Sequence, residues 1–111
     1  MSNSILIIKP ILVSAAAWRA RVIEAYPSDA RNSVAKTLLE KIATDIAPDE
    51  VVALLDSYTE TEIARVANAT AKLVGFRYFS DSLEAFIKAV VDRIEGSRAE
   101  WAQAFRKEGD R

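Results

Sequence analysis

The sequence predicts an all-α fold, a compact bundle of five or six short helices with an extended N-terminal arm. Three observations carry this. Residues 81–94 place Leu83, Phe86, Ile87, Val90, Val91 and Ile94 at i, i+3, i+4, i+7, i+8 and i+11, which is one apolar stripe on an α-helix. Only three glycines and three prolines occur in 111 residues, and alanine is abundant, a composition that favours helix over sheet. Helix-start signals recur as well: Asp81 with Glu84, Thr59 with Glu62 and Ser97 with Glu100 each read as a capping box, in which two side chains satisfy the free amides of a first turn.

Half of the residues are hydrophobic, so one packed domain spanning residues 1–111 is expected and disorder is not. A net charge of −1 argues against a strongly basic nucleic-acid binder. The chain has no cysteine, which excludes disulfides and thiol chemistry. It has no histidine, the commonest general base and transition-metal ligand. Residues 5–13 are apolar but interrupted by Lys9 and Pro10, and no charge precedes them. This run fits neither a secretory signal nor a membrane span, so a cytoplasmic protein is expected.

In chain order, residues 4–9 (SILIIK) are apolar and rich in β-branched side chains, and Pro10 disfavours helix at the residue before it. Residues 1–9 are therefore expected to be an extended arm. A first helix is expected from the region of Pro10 and Ser14 to Tyr26, with Trp18, Val22 and Tyr26 facing inward and Arg19, Arg21 and Glu24 outward. Ser28 or Asp29 caps a second helix over 30–46 whose stripe is Val34, Ala35, Leu38, Leu39, Ile42 and Ile46. Pro48, Asp49 and Glu50 open a third, short helix, with acids where the helix dipole favours them. Thr59 caps a fourth, which buries Ile63, Val66, Ala67, Thr70, Leu73 and Val74 and stops at Gly75. An aromatic loop of Phe76, Arg77, Tyr78 and Phe79 leads into the 81–94 helix, which Gly96 is expected to end. A last helix carries Trp101 and Phe105, and the polar residues 107–111 are expected to fray. The expected core is Trp18, Val22, Leu38, Ile42, Leu55, Ile63, Val66, Leu73, Phe86, Ile87, Val90 and Val91.

Catalytic material is sparse. Asp49, Glu50, Asp56, Glu60 and Glu62 are five acids with no Lys or Arg among them. Without histidine they make no diiron motif, and the calcium-loop pattern is missing. Nucleophile-elbow, phosphate-loop and dinucleotide patterns are also missing. No enzyme activity, cofactor or metal is expected. The acids read as helix caps and surface charge, or as an acidic face for a basic partner.

One stretch resembles a known family. Residues 61–79, TEIARVANATAKLVGFRYF, followed by SDSLEAFIKAV, resemble the helix-turn-helix of the tetracycline-repressor family. Ile63, Ala64 and Ala67 match its first helix, and Asn68-Ala69-Thr70 its turn, although the family's turn glycine is here Asn68. Arg77, Tyr78 and Phe79 match its aromatic end. The resemblance implies a DNA-binding transcriptional regulator in which Arg65, Lys72 and Arg77 face phosphates or bases.

The leading expectation is different: a small non-enzymatic protein-interaction module, a regulator, inhibitor or accessory subunit, and a homodimer. Both ends of the chain are apolar where single domains usually fray into polar tails. Ile5, Leu6, Ile7 and Ile8 at one end, with Trp101 and Phe105 at the other, are the candidate interface to a second copy or another protein. Nucleic acid is the alternative partner, and no membrane contact is expected.

Overall fold

A computed structural model describes residues 4–109, with side chains to residue 100. The protein is an all-α bundle. Its helices are α1 (Ile5–Ala25), α2 (Ala30–Thr44), α3 (Asp49–Val52), α4 (Glu60–Leu73) and α5 (Leu83–Gly109), with a 3-10 turn (Ala53–Ser57) after α3. No strand forms among the described residues, and none of their helices is long and apolar enough to cross a membrane.

Residues 5–9 of the expected arm are helix, not extended chain. Ser4 begins it, its carbonyl accepting from the amides of Ile7 and Ile8 at 3.0 and 3.2 Å. Pro10 lies inside α1 and removes one ladder donor, a loss worth roughly 3 kcal/mol in a helix interior. It sits on the exposed side, one turn after exposed Leu6, whose carbonyl loses that donor. On the opposite side Ile8 and Leu12 are fully buried, and burying two such side chains offsets the proline, at roughly 1.5–3 kcal/mol each. Tertiary burial has overridden local preference.

That burial also turns α1 from the expected phase. Ile8, Leu12, Ala16 and Arg19 face the core, whereas Trp18 is at the surface, Val22 only half-buried and Tyr26 exposed. On α2 the buried face is Asn32, Ala35, Leu39 and Ile42, while Leu38 is half-buried and Val34 exposed, and Ile46, expected in the helix, lies exposed past its end at Thr44. α1 packs mainly on α2 and α4.

The second half of the chain follows the sequence reading more closely. The Thr59 hydroxyl accepts from the Glu62 amide at 3.2 Å. Ile63, Val66, Ala67 and Thr70 of α4 are buried, as are Leu83, Phe86, Ile87, Val90 and Ile94 of α5. The α5 cap is Ser82 rather than Asp81: its hydroxyl accepts from the Ala85 amide at 3.1 Å. Asp45, just past α2, accepts from the Leu83 amide at 2.9 Å, so the end of one helix satisfies the start of another. The Leu83 and Ile46 amides hold the Asp45 carboxyl below its usual range.

Gly96 does not end α5. The helix runs through it to Gly109, which makes the expected last helix, and the supposed loose tail as far as residue 109, one continuous element. Arg98 holds the continuation to α4 by a two-pronged pair with Glu62, at 2.7 and 3.1 Å. Glu95 accepts a hydrogen bond from the Tyr58 hydroxyl and raises that phenol's pKa.

Candidate interaction surface

The first turns of α1 divide the expected interface. Ile8 is core, Ile5 and Ile7 pack half-buried against it, and only Leu6 projects, 70% exposed. Trp101 and Phe105 fall on α5, and their side chains lie outside the described residues.

What the helix does present is a stripe. Leu6, Pro10, Val13 and Ala17, at i, i+4, i+7 and i+11, are all exposed, Val13 to 59%. No charged residue occupies that exposed face from Leu6 to Trp18. Beside the stripe runs a shallow groove of about 470 Å³ between α1 and α2, lined by Val13, Ala16, Ala17 and Ala43 and edged by the Lys36–Glu40 ion pair. The first three turns of α1, up to Ala17, are thus apolar on nearly all sides although one side faces water. A helix of that kind is normally covered.

At the far end of α1 lies a polar cluster that the sequence reading placed outside. Arg19 is only 6% exposed. Its guanidinium donates to Asn32 Oδ1 at 3.0 Å and to the Lys72 carbonyl at 2.6 Å. That carbonyl belongs to the last turn of α4, where helix carbonyls lack intrahelical partners. The Trp18 and Phe76 rings each lie 4.3 Å from the guanidinium carbon, and Arg31 stacks on Phe76 as well, at 4.8 Å. Burial pulls the Arg19 pKa down, and the Asp29 carboxylate acts against that shift. One cation therefore ties α1 to α2 and to the end of α4. Arg19→Lys keeps the charge but offers a point donor in place of a planar fork, so Asn32 or the Lys72 carbonyl loses its partner. The expected cost is about 2 kcal/mol in urea unfolding; a loss below about 0.5 kcal/mol would show that the fork is dispensable.

The residues of the helix-turn-helix resemblance are arranged differently from that motif. Asn68, Ala69 and Thr70, read as its turn, lie inside α4. Asn68 Nδ2 donates to the Ala64 carbonyl at 2.9 Å, and the Thr70 hydroxyl to the Val66 carbonyl at 2.8 Å. A single helix and a tight loop stand where the resemblance implies a helix pair, as the chain-order reading of one helix stopping at Gly75 expects. The three cations also separate. The Lys72 ammonium is 6.0 Å from the Trp18 ring, on the α1 side. Arg65 and Arg77 instead line two neighbouring hollows between α4 and α5, of about 440 and 470 Å³, which share Arg93.

A further cleft of about 480 Å³ opens between the start of α1 and α3, where Asp45, Asp49 and Asp56 meet Lys9, Ile5 and Val52. Among the described residues no group of three or more acids is placed to hold a metal ion. No protein-family model, curated protein or solved structure matches the chain.

Proposed function

We propose that the protein is a non-enzymatic interaction module that works as a homodimer, with the outer face of α1 as the dimer surface. The observation that carries this is the uncharged stripe Leu6, Pro10, Val13 and Ala17. Across a two-fold axis residue i meets residue j as j meets i, and a residue near the axis meets its own copy, so a charge there would face itself. In a chain of which 28% of the residues are charged, three turns of an exposed helix face without charge suit self-association better than open water. Ser14 and Ala17 are small enough to let two helices approach closely, and Val13 can seat in the groove beside Ala43 of the other copy.

Light scattering on the full chain across a dilution series tests this. The unaltered protein is expected at the mass of two chains. Val13→Asp places a charge on the axis without touching the core, and should weaken association by about tenfold or more while leaving the helical spectrum and melting temperature in place. A single-chain mass for the unaltered protein at every concentration would refute the proposal. Deleting residues 1–9 is the poorer test, because it removes Ile8 from the core and confounds docking with folding.

A further inference from the structure

The α4–α5 face carries a second feature, separate from the α1 stripe. Arg65, Arg77 and Arg93 line its two adjoining hollows, and among the described residues none of the three side chains makes an ion pair or hydrogen bond. The cations that do pair, Arg31, Lys36, Lys41, Lys88 and Arg98, all find an acid. Between the arginines the floor is low, made by Ala69, Ala89 and Gly96.

Gly96 is an independent sign. It lies in the interior of α5 at an ordinary helical position, where glycine lowers helix stability relative to alanine. No neighbour requires it: a Cβ built there meets nothing within 4 Å. Folding alone gives no reason for a glycine at this point, whereas a ligand lying across the floor would.

We propose that this groove is a docking site for an acidic, extended polypeptide segment, whose carboxylates pair with Arg65, Arg93 and Arg77 while its backbone passes over Gly96. Guanidinium forks bind carboxylates two-pronged, and Arg77 and Arg93 break no ion pair on doing so, while Arg65 stands near a Glu62 carboxylate already paired with Arg98. The charge pattern favours a peptide over a nucleic acid strand. Asp92 and Glu100 share the walls with the arginines. A strand charged at every phosphate would meet those acids, while a peptide can carry its few carboxylates only where the arginines stand.

Fluorescence anisotropy with a dye-labelled oligo-glutamate peptide at low salt tests this, with an oligothymidylate of equal net charge as the comparison. Saturable peptide binding that weakens as salt rises is expected. Arg93→Ala should weaken it by about tenfold, and Gly96→Leu should do the same by filling the floor. Arg21→Ala, an exposed cation on α1, should leave it unchanged. Each variant's melting curve is read alongside, and if Gly96→Leu does not fold, Ser97→Leu on the same wall replaces it. No saturable peptide binding, or binding indifferent to Arg93→Ala and to the wall substitution, overturns the proposal. Tighter binding of the oligothymidylate also overturns it and assigns the groove to nucleic acid.

Discussion

Val90→Asp is expected to unfold the protein at neutral pH. Val90 is fully buried on α5, on the same face as Phe86, Ile87 and Ile94, which are also fully buried. Among the described residues the buried polar ones are Arg19, Asn32 and Thr70, none of them on α5, and Arg19 is committed to Asn32 and the Lys72 carbonyl. An aspartate introduced at 90 shares its helix face with Phe86, Ile87 and Ile94, which offer it no ion pair. An unpaired carboxylate in an apolar interior costs about 4 kcal/mol or more, against a total stability of about 5–15 kcal/mol for an ordinary domain. The pH dependence separates this cause from lost packing. Burial raises the pKa of the new acid in the folded state, so the charge penalty is largest well above the unfolded value of about 3.9 and fades as pH falls toward it. Val90→Asn has similar bulk but cannot ionise, and its deficit should not change with pH in that way. Circular dichroism melts of both variants between acid and neutral pH provide the measurement. A folded Val90→Asp chain with near-native stability at neutral pH would mean that water reaches this site.

The parts of the chain that could be read from sequence are those whose signals are local. Thr59 accepts from the amide three residues on, and Leu83, Phe86, Ile87, Val90 and Ile94 share one side of a helix whose other side is charged. Each signal lies within a few residues of the structure that it specifies. α1 has no such contrast. Its first three turns are apolar on nearly all sides and do not reveal which face turns inward, and Trp18 competes with Ile8 and Leu12 for the role of anchor. Arg19 is harder still. Arginine is seldom buried, and what holds it inside is contributed by Asn32, Lys72 and Phe76, distant in sequence and adjacent only after folding. Gly96 misleads for the opposite reason. A single glycine costs a helix only about 1 kcal/mol, and Arg98, paired with Glu62 of α4, holds the next turn in place. The groove beside Gly96 is legible only in part, since the resemblance singles out Arg65 and Arg77 but not Arg93. Arg65, Arg77 and Arg93 occupy separate parts of the chain, and only the packing of α4 on α5 places them along one channel.

Gly75→Ala is the second substitution expected to cost most, and for reasons that can be separated. Gly75 follows α4 with φ at +85°, a left-handed conformation in which a Cβ is strained. Its amide donates to the Tyr78 carbonyl at 2.8 Å, and the amides of Phe76, Arg77 and Tyr78 all point back to the Leu73 carbonyl at 3.0–3.1 Å. The loop closes tightly on the end of α4 and brings Phe76 to Arg19. Gly75 also touches α2. A Cβ there would stand 2.7 Å from both the Cα and the Cβ of Ala35 and 2.9 Å from its nitrogen. Two of those three atoms are backbone, so no side-chain rotation relieves the contact. The conformational strain is worth roughly 1–2 kcal/mol and the overlap roughly 1–3 kcal/mol, which together predict a loss of about 2–5 kcal/mol in urea unfolding. Ala35→Gly added to Gly75→Ala removes one of the overlapping atoms but leaves the Cα and nitrogen, so it should recover only part of the loss. Full recovery would place the whole cost in the Ala35 side chain. A loss below about 1 kcal/mol for Gly75→Ala alone would mean that α2 and the loop can separate freely, which would also remove Phe76 from its fixed place beside Arg19.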